Sequence, residues 1–131
     1  MAATTLLLAR RTMLLAFALF LLVASIGPKL ASAGVATEAL VRLGWSANLV
    51  VPIGLLELSC LVMVLVPRTR ILGALLMTAF LGGAVAVHLR AASPVFSHTL
   101  FGVYLGALMW GAILLEEPAL RRLVPLRPAR V

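Results

Sequence analysis

The chain carries a single cysteine, Cys60, set inside an apolar run. An intramolecular disulfide is therefore excluded, and the residue reads as a small apolar packing group. Acidic residues are scarce as well, 4 against 11 basic ones. No Cys/His cluster has metal-ligand spacing and no carboxylates are paired as acid and base. Gly82-Gly83 follows a helical run instead of a strand, which removes the phosphate-binding loop. Internal repeats and low-complexity linkers are also missing. These absences strike out metal-cluster proteins, P-loop enzymes and paired-carboxylate hydrolases at the outset.

What is present is hydrophobicity. Of 131 residues, 63% are apolar and the mean hydropathy is +1.17, values that belong to a chain surrounded by lipid. The net charge of +7 and pI near 11.6 do not make a nucleic-acid reader, because that function needs a basic face on a folded domain and here apolar runs separate the charges. Four such runs stand out: Thr12 to about Pro28, Leu49 to Val66, Ile71 to Val87 and Thr99 to Leu115. Each approaches the roughly 17–25 residues that cross a bilayer as a helix. Helix is the one conformation that satisfies every backbone N–H and C=O within its own segment there. The fold class expected is an all-α integral membrane four-helix bundle, one domain over 1–131 with a basic tail over 116–131. Pro67-Arg68-Thr69-Arg70 is too short for anything but a tight antiparallel hairpin between the second and third helices.

Orientation follows from the basic residues of the short loops. Arg10, Arg11, Arg68, Arg70, Arg121, Arg122, Arg127 and Arg130 fall on one side, and Lys29, Arg42 and Arg90 on the other. Both termini are thus expected in the cytoplasm, with a long loop at about 30–48 and a shorter one at about 91–98 facing outward. Trp45 and Trp110 are expected near opposite interfaces as aromatic anchors. Arg10-Arg11, the apolar stretch and Ala31-Ser32-Ala33 also imitate a cleavable signal peptide, but Pro28 and Lys29 intervene, so retention of the first helix is the expectation. The tail from Arg121 to Arg127 is expected against anionic lipid.

Small residues crowd the third run. Ala74/Thr78/Gly82 and Ala79/Gly83 have the spacing that brings backbones close, so this helix is expected to be central, buried and packed against its hairpin partner. Met13, Met63, Met77 and Met109 fit packing.

Chemistry is sought among polar residues that a membrane tolerates only at a cost. Glu57 is the main candidate: it lies mid-run, roughly 12 Å from the end of its helix at 1.5 Å per residue. An isolated carboxylate there costs about 2.5 kcal/mol or more. It should face the interior, protonated or paired. His88 and Arg90 close the third run while Lys29 ends the first and His98 begins the fourth, so a polar outer mouth leading down to Glu57 is expected, with Arg90 reaching inward to it or outward to headgroups. The ligand-binding or proton-handling candidates are therefore Glu57, His88, Arg90 and His98, with no metal site. Haem ligation by His88 and His98 is disfavoured by their position near the surface.

Gly54 and Glu57, Pro67-Arg68-Thr69, Leu81-Gly82-Gly83-Ala84, His88-Leu89-Arg90 and Phe96-Ser97-His98, with Tyr104, Trp110 and Leu120-Arg121, together resemble the DoxX-like family of small bacterial membrane proteins. The resemblance spans roughly residues 12–127; Glu116-Glu117 departs from the more basic run expected there. It implies a multi-pass protein of the bacterial cytoplasmic (inner) membrane that keeps its first helix. For function it implies an accessory or anchoring subunit linked to a quinone-dependent oxidoreductase, non-catalytic in itself. Quinone would be the associated cofactor, and the lipid bilayer and a redox protein its partners. The alternatives are binding or transport of an apolar small molecule or lipid, by fold analogy with eukaryotic four-helix sterol-binding and isomerase proteins, or a purely structural role.

Overall fold

A computed structural model describes residues 2–123. Arg127 and Arg130, and with them the end of the basic tail, lie outside the described residues. Every regular element of the described chain is helical, in the order α1 (Ala2–Leu21), a π-helical turn (Leu22–Ile26), α2 (Gly27–Leu30), α3 (Gly34–Arg42), a 3-10 turn (Ala47–Leu49), α4 (Val50–Leu65), α5 (Arg70–Arg90), a second π-helical turn (Val95–Thr99), α6 (Phe101–Glu116) and α7 (Pro118–Leu123). Four stretches are long and apolar enough to cross a membrane: Ala3–Leu30, Ala47–Leu65, Arg70–Arg90 and Val95–Glu116. The expected spans are all there, and the first runs about nine residues further toward the N-terminus than Thr12 because Arg10 and Arg11 do not interrupt the helix.

The spans pack as an antiparallel bundle around Phe17, Leu21, Ile26, Leu61, Val64, Met77, Leu81, Met109 and Ile113, with Cys60 in the same core. Leu15, Leu19, Val23, Leu55, Leu56, Leu72 and Leu75 point outward and stay exposed, the pattern of a bundle whose surroundings are as apolar as its core. Burial from water cannot hold such helices together, so close packing and interhelical hydrogen bonds must. Arg10 and Glu116 form an ion pair (3.3 Å), which fixes the two ends of the described chain at the same end of the bundle as the 67–70 turn. We call this the basic end.

Two expectations are corrected. The segment 30–48 is not an irregular loop but contains α3, whose Leu40 is buried. Gly44 ends it at φ +85°, with the Trp45 and Gly44 N–H groups donating to the carbonyls of Leu40 (3.0 Å) and Val41 (2.9 Å), the paired bonds of a Schellman motif. Nor is α5 the most enclosed helix: of the most apolar stretches, 33% of the second span is buried against 22% of the third. α5 does pack against α4, and its small residues matter at one end only. A Cβ on Gly73 would lie 2.5 Å from the backbone of Met63 and Val64, whereas one on Gly82 or Gly83 would meet nothing within 4 Å.

Candidate functional site

The site begins with a local distortion of the first span. Pro28 has no N–H and its ring crowds the carbonyl one turn back, so an α-helical ladder cannot run through it unperturbed. The chain answers by widening into the π turn Leu22–Ile26, with the Gly27 N–H donating to the Leu22 carbonyl, and resumes as α2 with Pro28 in its first turn. The expected end of the helix at Pro28 is therefore only a change of pitch. It carries Ser25 and Lys29, four residues apart, on one face toward α4.

There they meet Glu57. Lys29 Nζ lies 2.6 Å from Glu57 Oε2 and donates also to Ser25 Oγ at 2.7 Å, while the Ser25 hydroxyl reaches both carboxylate oxygens at 2.8 and 2.9 Å. Glu57 is 1% exposed, and the Lys29 side chain 16%. Gly54, one turn from Glu57, lets the helices approach: a Cβ there would sit 2.8 Å from Lys29 Cβ. The Phe80 ring of α5 lies 5.7 Å from the ammonium, close enough for cation–π attraction. The pair is formally neutral and hydrogen-bonded, the condition under which a low-dielectric interior accepts two charges. No buried side-chain polar atom among the described residues lacks a partner. Glu57 is thus held by the chain's own groups and lines neither the hollow at Gly44, Trp45 and Arg90 nor the one between α5 and α6.

Sequence reasoning placed Lys29 at the outer mouth and passed over Ser25. The signal available was their spacing of four on one helical face, hidden by reading Gly27-Pro28 as a terminus. Arg90 does not turn to Glu57. Its guanidinium donates to the Leu43 carbonyl (2.9 Å), closing the C-terminal end of α3 where it passes beside Gly44.

His88 and His98 do come together, on α5 and on the π turn preceding α6, with ring centroids 6.1 Å apart and planes tilted by 54°. Each ring is held through Nδ1 by a serine: His88 by Ser93 Oγ at 3.1 Å, His98 by Ser97 Oγ at 2.8 Å. They are separate from the Glu57 site. Among the described residues no group of three or more His, Cys, Asp or Glu side chains stands ready to hold a metal ion.

At the basic end a second ionic cluster joins three spans. Glu116 pairs with Arg10 and with Arg70, and Arg70 also donates from Nε to the Val64 carbonyl (3.0 Å) and from Nη2 to that of Leu65 (3.2 Å), satisfying carbonyls that the end of α4 leaves open. Trp110, expected as an interfacial anchor, donates its indole N–H to Thr78 Oγ1 (2.9 Å) across α6 and α5.

A bundle of four apolar spans, fastened through a buried Lys–Glu–Ser network and an arginine cluster at the opposite end, defines a multi-pass membrane protein. Comparison with known families makes this specific: the model of the DoxX-like family matches residues 12–112, so the chain belongs to that family. No curated protein and no solved structure matches it.

Proposed function

We propose that this protein is an accessory, non-catalytic subunit of the bacterial cytoplasmic membrane that anchors or serves a quinone-dependent oxidoreductase. One observation carries the non-catalytic part: Glu57, the most deeply buried charged group among the described residues, is fully engaged by Lys29 and Ser25. A general acid or base needs reach to a reacting atom, and this carboxylate has spent its reach on the first span. The polar interior fastens helices, and the bundle offers its faces to others. The redox link rests on the family resemblance, which supplies a class of partner and not a mechanism. In this reading the basic end, with Arg10, Arg11, Arg68, Arg70, Arg121 and Arg122, lies in the cytoplasm by the distribution of arginine.

The test is extraction of the tagged protein from native membranes in mild detergent, with mass spectrometry of bound proteins, quinones and lipids for wild type and Glu57→Gln. The expected result is a stoichiometric redox partner with both forms and a lower melting temperature for the variant. A wild-type protein that emerges without a partner would overturn the subunit reading. A variant of unchanged stability that loses partner or quinone would make Glu57 a chemical participant instead of a fastener.

A further inference from the structure

The lysine and arginines at the end away from the 67–70 turn are not answered alike. Lys29 pairs with Glu57 and Arg42 with Glu38 (3.8 Å), whereas Arg90 meets no carboxylate among the described residues. Its Nη2 donates to the Leu43 carbonyl (2.9 Å), and a Cβ on Gly44 would lie 2.8 Å from the same nitrogen. That bond holds the guanidinium in place but uses one N–H of the five it carries. The others have no partner among the described residues. Beside them is a hollow of about 390 Å³, lined by Gly44, Trp45, Ala86, Val87 and Arg90. The indole N–H of Trp45, which can only donate, is likewise without a described partner. Two sets of open donors, one of them permanently charged, thus share a hollow whose lining includes no acidic side chain.

α5 extends this hollow along its outer face. Ala79, Gly83, Ala86 and Arg90 follow one another at spacings of four, three and four residues, so they form one row, opposite the buried Met77 and Leu81. The three small residues are exposed, and a Cβ on Gly83 would meet nothing within 4 Å. From Ala79 to Ala86 the strip runs roughly 10 Å at 1.5 Å per residue. It lies within the third span, where the surroundings are hydrocarbon.

We infer that the hollow and the strip together bind a phospholipid with an anionic headgroup, its phosphate accepting hydrogen bonds from Arg90 and Trp45 and one acyl chain lying along Ala86, Gly83 and Ala79. A guanidinium suits a phosphate because its fork can donate two parallel bonds. A free anion would use the donors and leave the strip idle; a neutral apolar molecule would use the strip and leave the donors without an acceptor. A zwitterionic lipid would bring an ammonium that no acidic side chain of the hollow answers, so an uncompensated phosphate is favoured. The site stands apart from the Glu57 network, and it goes beyond the subunit reading without resting on it, since it needs no partner protein.

The experiment is photolabelling of the full-length protein in phosphatidylcholine nanodiscs doped with phosphatidylglycerol that carries a diazirine on one acyl chain. Peptide mass spectrometry locates the adducts, melting temperature checks the fold, and phosphatidylcholine with the same diazirine chain is the comparison probe. Adducts of the phosphatidylglycerol probe are expected to concentrate on residues 79–87, at about tenfold the yield of the phosphatidylcholine probe, the factor that one hydrogen bond to a charged group supplies. Arg90→Gln should remove that preference. Because Arg90 also closes α3, two variants that leave it in place decide the matter if Arg90→Gln does not fold. Trp45→Phe keeps the ring and loses the donor, and should lower the yield about threefold. Gly83→Leu fills the strip from a position with open space and should lower it about tenfold. Equal yields from the two probes, adducts spread evenly over the four spans, or unchanged yields in folded variants would overturn the site. So would equal competition by soluble glycerol 3-phosphate at the concentration of the probe, which would mark a site for free phosphate instead of lipid.

Discussion

The two ends of the α4–α5 hairpin are built on opposite principles. Near the 67–70 turn the helices touch backbone to backbone at Gly73, with Met63 and Val64 against it, and the charges lie at the rim, where Arg70 and Arg10 clasp Glu116. Toward the other end the α5 glycines face open space, and the charges move inside, between α4 and the distorted first span. Near the turn Gly73 leaves no room for a side chain between α4 and α5, whereas the buried charge sits where Gly54 brings α4 close to the first span, and it must bring its counter-charge along. The basic end is held by shape. The far end is held by a bond.

Breaking that bond should give the largest effect. Lys29→Met or Glu57→Leu alone strands its partner in the interior and should cost about 3–5 kcal/mol, while the double variant should recover most of the loss, as buried pairs replaced by apolar groups do. Thermal unfolding in detergent reads this directly, and a double variant as unstable as the singles would show that the network contributes more than mutual neutralisation. Shape is tested next. Gly73→Ala should cost about 1–3 kcal/mol by overpacking, whereas Gly83→Ala should be neutral or stabilising by up to about 1 kcal/mol from helix propensity. Equal effects at the two positions would erase the contrast drawn between the two ends.

The rim cluster should matter less. Glu116→Gln is expected to cost about 1 kcal/mol, because the three side chains are partly solvated and Arg70 keeps its carbonyl partners. The loss should shrink at high salt, as it should not for Glu57. The smallest change is expected from Trp110→Phe, which removes one interhelical hydrogen bond, worth about 0.6 kcal/mol on average within membranes. A larger loss, seen as a drop in melting temperature approaching that of Glu116→Gln, would mean that the Thr78–Trp110 bond sets the spacing of α5 and α6.

How much of this could be read in advance differs by feature. The spans were plain, because a run of apolar residues long enough to cross lipid has one way to satisfy its backbone. Helix ends were harder. The first span passes through Gly27-Pro28 by way of a π turn, and two other helix ends turn at Ser32 and Ala92, with φ of 50° and 51°, where no glycine signals the left-handed conformation. α3 was missed because its nine residues are too few and too polar to stand out as an apolar run. Glu57 was legible as a buried carboxylate by the cost of placing it there, and His88 and His98 as neighbours by their depth. That Arg90 caps α3 instead of meeting Glu57 was not legible, since a long side chain at a helix end has several carbonyls and acids in reach.

The sequence by itself determined four membrane-spanning helices, because composition and run length leave lipid no other partner, and its motifs pointed to the DoxX-like family. Only the tertiary structure decided which charge answers Glu57, that Gly73 of α5 serves close packing near the turn while Gly82 and Gly83 face open space, and how the rings of His88 and His98 meet. These depend on the pitch of the first span and on where two helices diverge, differences of a few ångströms that hydropathy does not encode and that side-chain packing sets.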